Sequence, residues 1–308
     1  MADPDAPVVT VPGVDELNLF SFKHDVYPLI DPASHFTSKS YTGKTVLITG
    51  GSTGIGATAA QFYARAGANL VLVARNASRL HEAKSEIEKV APGAKVEVVV
   101  GDISEVGTGK EAVKVAVEKF GGVDVVIANQ FVQIRGPMTR LGDLDPSEWW
   151  KTQEVNVRGT LNIVHAAIPE LLKTKGQVIV TTSQAAHLRF AAIADYCISK
   201  HTLNRFVEIL ALDYPELSFY AVHPGIIWTP GSTESVRAMG FHDSVTMPDT
   251  LELPAATFLW LTARNAEFLS GRYVQATWDL GEVVAKQEEI VKGNLLVTKL
   301  AGPAKVIQ

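Results

Sequence analysis

The sequence predicts an α/β protein built on a single doubly wound parallel sheet of about seven strands, with helices on both faces. Three observations predict it. Short apolar runs alternate with longer stretches of helical periodicity from residue 45 onward. The first apolar run ends in a glycine-rich turn that leads directly into a helical stretch. Tyr196 and Lys200 lie four residues apart in a later helical stretch, so their side chains project from one face.

The composition fits one globular domain with tails. The chain has 308 residues, of which 46% are hydrophobic and 20% are charged. Its net charge of −5 argues against nucleic acid as the main partner. Cys197 is the single cysteine, which excludes an internal disulfide and predicts a reducing, cytoplasmic compartment. The histidines lack metal-ligand spacing and no transmembrane run occurs, so we expect neither a metal nor a membrane partner.

The composition of residues 1–40 predicts an N-terminal extension of the domain. Prolines and aspartates recur through this segment and leave little room for regular structure. Two outcomes stay open: the extension wraps the domain, or it is disordered. Several of its side chains are apolar enough to dock, namely Leu17, Leu19, Phe20, Phe22 and Tyr27. The catalytic domain is predicted over 41–281, followed by a helix and an uneven tail over 282–308.

The glycine-rich turn follows a predicted buried strand over 45–49. A backbone that approaches a pyrophosphate leaves no room for side chains, and the N-terminus of the next helix supplies free N–H groups and a favourable dipole. The turn therefore predicts a dinucleotide site, with a tight turn that binds nothing as the alternative. Its residues are Gly50, Gly51, Ser52, Thr53, Gly54, Ile55 and Gly56.

The second strand, predicted over 70–74, ends where a nucleotide-binding fold meets the adenosine ribose. Chains that bind NAD usually carry an acidic residue there, whereas this chain has Ala74, Arg75 and Asn76. The next acid, Glu82, falls inside the following helix, so we expect no acid within reach of Arg75. An arginine without a carboxylate suits a 2′-phosphate and predicts NADP. A solvated surface arginine is the alternative.

The alternation of helices and strands continues to the end of the domain. Helices are predicted through residues 80–90 and 112–120. A long helix is predicted after the capping sequence Asp145-Pro146-Ser147-Glu148. The remaining strands are predicted over 96–100, 123–128, 177–181, 218–222 and 273–277.

The pair Tyr196 and Lys200 predicts acid–base chemistry. A free tyrosine ionises near pH 10 and exchanges protons poorly at neutral pH. A lysine charge about 4 Å away favours the phenolate by roughly 4 kcal/mol at an effective dielectric of about 20, or about three pKa units. We therefore expect a lowered pKa for Tyr196, with a surface helix pair as the alternative.

Together these motifs resemble the short-chain dehydrogenase/reductase family, whose fold is Rossmann-like, over residues 41–280. The resemblance rests on Thr49-Gly50-x-x-x-Gly54-x-Gly56, Asp102-Ile103, Val155-Asn156-Val157, Ser183 thirteen positions before Tyr196, and Pro224-Gly225-Ile226-Ile227-Trp228-Thr229. It implies hydride transfer between NADPH and a ketone or secondary alcohol. An NAD-linked alcohol dehydrogenase and a non-redox cofactor-binding protein are the alternatives.

The resemblance also implies a role for each catalytic residue. Tyr196 would exchange a proton with the substrate oxygen, and Lys200 would hold the nicotinamide ribose. Ser183 would hydrogen-bond the substrate oxygen, and Asn156 would anchor a water that links Lys200 to solvent. The implied cofactor contacts are Gly50, Ser52, Thr53, Gly54, Ile55, Gly56, Arg75, Asn76, Asp102, Ile103, Asn129, Tyr196, Lys200, Pro224, Gly225, Ile227 and Thr229.

One departure from the family pattern follows the fourth strand. The family's Asn-Asn-Ala-Gly is replaced here by Ala128-Asn129-Gln130-Phe131, which puts a large ring beside the expected nicotinamide site. Local repacking and a trimmed or re-aimed substrate pocket both stay open.

The resemblance also implies that the segment 230–250 is the family's variable substrate loop. Met239, Phe241 and Met247 predict a partly apolar, small or medium-sized substrate, and the polar, glycine-rich sequence predicts a mobile lid. The resemblance further implies a homodimer or homotetramer that pairs through the helices starting near Ser147 and Tyr196. Its candidate apolar contacts are Trp149, Trp150 and Phe206.

Overall fold

The computed structural model describes residues 12–133, 139–189, 191 and 193–300. Its centre is a seven-stranded sheet in the order β3-β2-β1-β4-β5-β6-β7, with every neighbouring pair parallel. The predicted fold class is confirmed. The strands are β1 (Thr45–Thr49), β2 (Asn69–Ala74), β3 (Val96–Val100), β4 (Val125–Ala128), β5 (Gln177–Thr181), β6 (Ser218–His223) and β7 (Arg272–Gln275).

Helices cover both faces of the sheet, because each strand is apolar on both sides and needs a partner on each. The described α-helices are α1 (Ala33–Ser38), α2 (Gly54–Arg65), α3 (Ala77–Val90), α4 (Val106–Phe120), α5 (Pro146–Gln153), α6 (Gly159–Thr174), α7 (Ala194–Asp213), α8 (Pro230–Ala238), α9 (Glu252–Trp260), α10 (Leu280–Ala285) and α11 (Gln287–Lys292). One apolar cluster joins the sheet to α2, α3 and α9, and a second joins it to α4, α6 and α7. No described helix is long and apolar enough to cross a bilayer.

The strand order places a crevice at the centre of the sheet. β1 lies between β2 and β4, so the chain first builds outward to β3 and then returns to build the other half. Loops that leave two adjacent strands in opposite directions open a crevice beyond their carboxyl ends. β7 ends at Gln275 rather than at residue 277, because its partner β6 ends at His223, which pairs with Gln275.

The long helix predicted after Asp145 is interrupted. Asp145 caps α5 by accepting a hydrogen bond from the Ser147 backbone N–H at 2.8 Å, as predicted. The Glu148 side chain pairs with Lys151 instead of completing a capping box. A π-helical turn, Glu154–Arg158, then separates α5 from α6. Such turns are frequent at functional sites.

The described part of the predicted extension packs against the domain. Leu17 and Ile30 are buried in the first apolar cluster, and Phe20 and Tyr27 pack partly buried against it. Leu19 and Phe22 are exposed, although Phe22 bridges the backbone of Trp278. The buried Trp278 also donates its indole N–H to the Leu17 carbonyl at 3.2 Å. Residues 1–11 and the tail residues 301–308 lie outside the described residues.

Candidate active site

The glycine turn after β1 has the backbone that the sequence predicts. Gly50 and Gly54 adopt φ angles of 64° and 55°, which L side chains rarely adopt. A Cβ atom at Gly56 would lie 2.3 Å from the Gly50 carbonyl oxygen, so only glycine fits there. The turn therefore brings α2 directly onto the end of β1, with the helix N-terminus facing the crevice.

A cavity of about 790 Å³ occupies the crevice. It is lined by every predicted site residue except Gly56 and Asn156, which are buried. The turn after β6 meets the glycine turn there, because a Cβ atom at Gly54 would lie 3.1 Å from the Thr229 side chain. Thr229 caps α8, so the N-termini of α2 and α8 converge on one place. Two converging N-termini bind anions, and this cradle fits the pyrophosphate of a dinucleotide.

The end of β2 differs from the prediction in one respect. The sequence predicts no acid within reach of Arg75, and this is wrong, because the Asp102 carboxylate lies 3.9 Å from the Arg75 guanidinium. Asp102 is far from Arg75 in sequence. Because β3 pairs with β2, the end of β3 that leads to Asp102 lies next to the end of β2 that leads to Arg75. The two side chains are 65% and 37% exposed, so the attraction between them is weak.

The neighbouring residues complete this corner of the cavity. The Asn76 side chain accepts a hydrogen bond from the Arg79 backbone N–H at 3.0 Å and thereby caps α3. Arg79 itself lines the cavity, which the sequence analysis missed. Its place in the first turn of a helix that starts at the cavity was the available signal.

Ser183 and Tyr196 lie together on the cavity wall. Ser183 follows β5 and its hydroxyl oxygen accepts a hydrogen bond from the Ala185 backbone N–H at 3.1 Å. Burial raises the pKa of the Tyr196 phenol to about 12, and the hydrogen bond with Ser183 offsets part of that rise, while Cys197 and Asp195 add to it. The phenol is therefore protonated at neutral pH.

Lys200 does not lower the Tyr196 pKa as predicted. Its ammonium nitrogen lies 5.6 Å from the centre of the Tyr196 ring and donates a hydrogen bond to the Thr181 carbonyl at 2.8 Å. Burial lowers the pKa of Lys200 to about 7, so the side chain is only partly charged at neutral pH. The prediction considered the charge of the lysine but not its burial, which is the larger effect here.

The Asn156 side chain makes three hydrogen bonds within the protein. Its side-chain oxygen accepts from the Val132 backbone N–H at 2.8 Å, and its amide nitrogen donates to the Val132 carbonyl at 2.8 Å. The amide also donates to the Ser199 hydroxyl at 3.0 Å. Asn156, buried in the π-helical turn, therefore ties the segment after β4 to the helix that carries Tyr196.

Gln130 and Phe131, which replace the family motif, take two separate positions. Gln130 hydrogen-bonds the Thr49 hydroxyl and donates to the Thr160 hydroxyl at 2.9 Å, so it braces β1 against α6. The Phe131 ring lies edge-on to Tyr196 with 6.4 Å between ring centres. A Cβ atom at Gly231 would lie 2.9 Å from the tip of Phe131. The ring therefore fills space between Tyr196 and α8 and narrows the cavity.

Beyond Phe131 the cavity wall is mostly apolar. Met239 and Met247 line it as predicted. Phe241 does not line it and is exposed, because the chain turns back after α8 and its backbone N–H bonds the Val236 carbonyl. Other apolar lining residues escaped the sequence analysis, namely Val132, Leu188, Ile193, Val236 and Val245.

His223, at the end of β6, is a further lining residue that the sequence analysis missed. Burial lowers its pKa to about 3. His187 lies nearby, and its ring centre is 4.5 Å from that of Tyr273. Burial lowers the pKa of His187 to about 4. Both imidazoles are neutral at physiological pH. Among the described residues, no group of three His, Cys, Asp or Glu side chains could hold a metal ion.

The sequence matches a known protein family and curated relatives. The sequence model of the family described as short chain dehydrogenase matches residues 44–239. The short chain dehydrogenase pigC of Monascus ruber is 33% identical over 292 residues, covering 90% of this chain and 91% of its own. The short chain dehydrogenase andI of Emericella variicolor is 35% identical over 285 residues, covering 89% of this chain and 92% of its own.

Solved structures share the fold. A dehydrogenase/reductase from Sinorhizobium meliloti superposes with a TM-score of 0.69 at 26% identity, over 79% of this chain and 97% of its own. A levodione reductase superposes with a TM-score of 0.70 at 24% identity, over 77% of this chain and 97% of its own.

Proposed function

The chain belongs to the short-chain dehydrogenase/reductase family of oxidoreductases, which bind a nicotinamide cofactor, and from that membership we propose that it is an NADPH-dependent reductase. Its substrate is a ketone, interconverted with the secondary alcohol, on a small or medium-sized and partly apolar molecule. The observation that carries this proposal is the protonated Tyr196, hydrogen-bonded to Ser183 on the wall of a cavity whose other end is a dinucleotide cradle.

The residues of the cavity fit such a cofactor from end to end. The N-termini of α2 and α8 would hold the pyrophosphate, and Asp102 with Ile103 the adenine. The loop 224–227 would contact the nicotinamide. When bound, the nicotinamide supplies the hydride that a carbonyl carbon accepts.

The chain's own residues manage the proton. As the substrate oxygen gains charge, the Tyr196 hydroxyl gives it a proton, and the C=O group becomes an alcohol. A phenol that stays protonated at neutral pH is the form that this direction requires. Ser183 stabilises the phenolate that remains, through the hydrogen bond it already makes with Tyr196. Lys200, with a pKa of about 7, can exchange protons at neutral pH, and we assign it the return of a proton to Tyr196.

Two arginines support the preference for NADPH. Arg75 and Arg79 both line the adenosine end, and the last residue of β2, Ala74, carries no carboxylate. A guanidinium binds a phosphate through charge-assisted hydrogen bonds. Asp102 is the observation that favours the NAD-linked alternative, because its carboxylate partly neutralises Arg75. Affinities for NADPH and NADH, measured at one ionic strength, decide between the two.

Tyr196→Phe tests the proposed chemistry. We expect a loss of about 10²- to 10⁴-fold in kcat, the usual contribution of a positioned acid, with NADPH affinity within a few-fold of wild type. Lys200→Ala should reduce both affinity and rate. Ketone-dependent NADPH oxidation and NADPH titrations are the measurements. A Tyr196→Phe enzyme that keeps most of its activity would remove Tyr196 as the proton donor and favour the non-redox alternative.

We also propose that the protein is a homodimer or homotetramer that pairs through α6 and α7. Leu161 and Leu172 on α6, and Ile198 and Ile209 on α7, are exposed apolar side chains. Each pair is eleven residues apart, about three helical turns, so each helix carries an exposed apolar stripe. A second copy of the chain would bury both stripes. Light scattering at micromolar concentration that detects only a 33.2 kDa monomer would overturn this proposal.

Of the candidate apolar contacts, Trp150 is exposed on α5 and is available for such pairing. Phe206 instead packs partly buried against the second apolar cluster, so its contribution is to the core.

A further inference from the structure

Three distant segments of the chain meet at the Asp249 carboxylate. One carboxylate oxygen accepts a hydrogen bond from the Ile226 backbone N–H at 2.6 Å, and the Asp249 N–H donates to the Ile226 carbonyl at 3.3 Å. The other carboxylate oxygen lies 2.6 Å from the His24 Nδ1 atom. The Asp249 side chain is only 2% exposed. A buried carboxylate depends on such partners, because its desolvation is otherwise costly.

The carboxylate presses on the back of the loop whose front lines the cavity. Gly225 has a φ angle of 114°, and a Cβ atom there would lie 2.8 Å from the Asp249 carboxylate oxygen. Gly225 and Ile226 both line the cavity. No side chain separates the carboxylate from this loop, so a shift of Asp249 is transmitted directly to the cavity wall.

The backbone around His24 is held independently of the imidazole. The Thr250 N–H donates to the His24 carbonyl at 3.0 Å, and the Thr250 hydroxyl donates to the Asp25 carboxylate at 2.8 Å. The Lys23 N–H donates to the Thr277 carbonyl at 2.7 Å. Removing the imidazole alone therefore leaves the segment in place and takes away one partner of Asp249.

The same segment holds a second part of the wall. The Arg189 N–H donates to the Pro12 carbonyl at 2.9 Å, and the Arg189 guanidinium pairs with Glu16. A Cβ atom at Gly13 would lie 2.7 Å from the His187 carbonyl oxygen. Leu188, between these contacts, lines the cavity. The segment 12–25 therefore supports two loops of the cavity wall. It contacts the loop that carries Leu188 directly, and it reaches the Gly225–Ile226 loop through Asp249.

We propose that the segment 12–25 is part of the active-site scaffold and that His24 is a positioning residue. It acts through Asp249 on the Gly225–Ile226 backbone and thereby sets the affinity for the nicotinamide cofactor. This inference rests on the proposed function for the identity of the ligand. The cofactor loop thus depends on a part of the chain that lies outside the sheet and ahead of β1.

The test compares His24→Ala, His24→Asn and the control His35→Ala in the full chain. His35 is a half-buried histidine of α1 that bonds Ser40 and lies outside the cavity lining. The measurements are the NADPH dissociation constant from quenching of tryptophan fluorescence, KM and kcat, and the melting temperature. We expect His24→Ala to weaken NADPH binding about five- to tenfold, in line with the loss of a hydrogen bond to a charged group.

We expect His24→Asn, which keeps a side-chain N–H donor, to recover at least half of that loss, and His35→Ala to match the wild type. A purely structural role for His24 would lower the melting temperature without moving the dissociation constant of the folded protein. A His24→Ala constant within twofold of wild type, or no recovery with asparagine, overturns the inference alone. A wild-type chain that binds neither NADPH nor NADH overturns both the inference and the proposed function.

Discussion

The two ends of the cavity are built in different ways. The nucleotide end comes from residues 49–103, an uninterrupted run through β1, α2, β2, α3 and β3. The substrate end comes from segments far apart along the chain, around Phe131, Ser183, Gly225 and Met247, supported from behind by the segment 12–25. The adenosine end therefore depends on one stretch of the chain, whereas the α8 side of the pyrophosphate cradle and the substrate end depend on segments from the rest of the fold.

The two ends also differ in their electrostatics. At the nucleotide end the Arg75 side chain is exposed and the Asp102 side chain is partly exposed, so solvent screens the attraction between them. At the substrate end Lys200 and His223 are buried and Tyr196 is half-buried on the cavity wall, and desolvation shifts all three pKa values toward the neutral form. Under the proposed function, charge complementarity would govern recognition at one end, and desolvation would govern acid–base chemistry at the other.

The largest expected effect is at the glycine turn. Gly56→Ala puts a Cβ atom against the Gly50 carbonyl, so we expect cofactor affinity to fall more than about 100-fold, a loss above roughly 2.7 kcal/mol. Gly107→Ala, on α4 with open space around it, is the matched control and should leave affinity unchanged. Cofactor titrations measure both. A Gly56→Ala protein with normal affinity would show that the nucleotide end is not a rigid local unit.

The next largest effect is expected from changing the charge at the end of β2. Combining Ala74→Asp with Arg75→Ala removes a phosphate partner and adds a ribose acceptor, so we expect NADPH preference to become NADH preference. The loss of the arginine contact alone, about 1.5–3 kcal/mol, corresponds to roughly a ten- to hundredfold change. Lys110→Glu, at an exposed lysine on α4, makes the same change of two charge units and controls for net charge. An unchanged ratio of the two dissociation constants would mean that Arg75 is occupied by Asp102 and does not contact the cofactor.

A smaller effect is expected at the substrate end from Phe131→Ala. Opening the space between Tyr196 and α8 should shift kcat/KM toward bulkier ketones by about tenfold, the usual scale for changes in an apolar pocket, with cofactor affinity within twofold. Phe241→Ala, outside the cavity lining, is the control. A panel of ketones of increasing size provides the measurement. An equal change for every ketone would argue that Phe131 positions Tyr196 rather than selecting the substrate.

A different kind of effect, on stability rather than on binding or rate, is expected at low pH. The folded protein holds His223 neutral down to a pH of about 3, whereas the unfolded chain protonates it near 6.5, so stability should fall as the pH drops through that window. Between pH 6.5 and 5 the expected loss is about 2 kcal/mol. Urea unfolding of wild type and His223→Gln at both pH values measures it, with the exposed His81→Gln as control. Parallel pH dependence in wild type and His223→Gln would contradict the burial argument.

Much of the nucleotide end was predictable because its signals are local. The order of strands and helices and the glycine turn follow from periodicity and backbone sterics within a few residues, and so does the spacing of Tyr196 and Lys200 at the substrate end. The same reasoning missed Arg79, which lines the cavity from the first turn of α3.

The tertiary structure decided what depends on partners distant in sequence. It brought Asp102 beside Arg75, put Phe131 between Tyr196 and α8, and joined His24 to Asp249. It also reversed the expected shift of the Tyr196 pKa. The physical reason is that burial and hydrogen-bond partners determine a charge's energy, and both arise from packing between segments that the sequence keeps far apart.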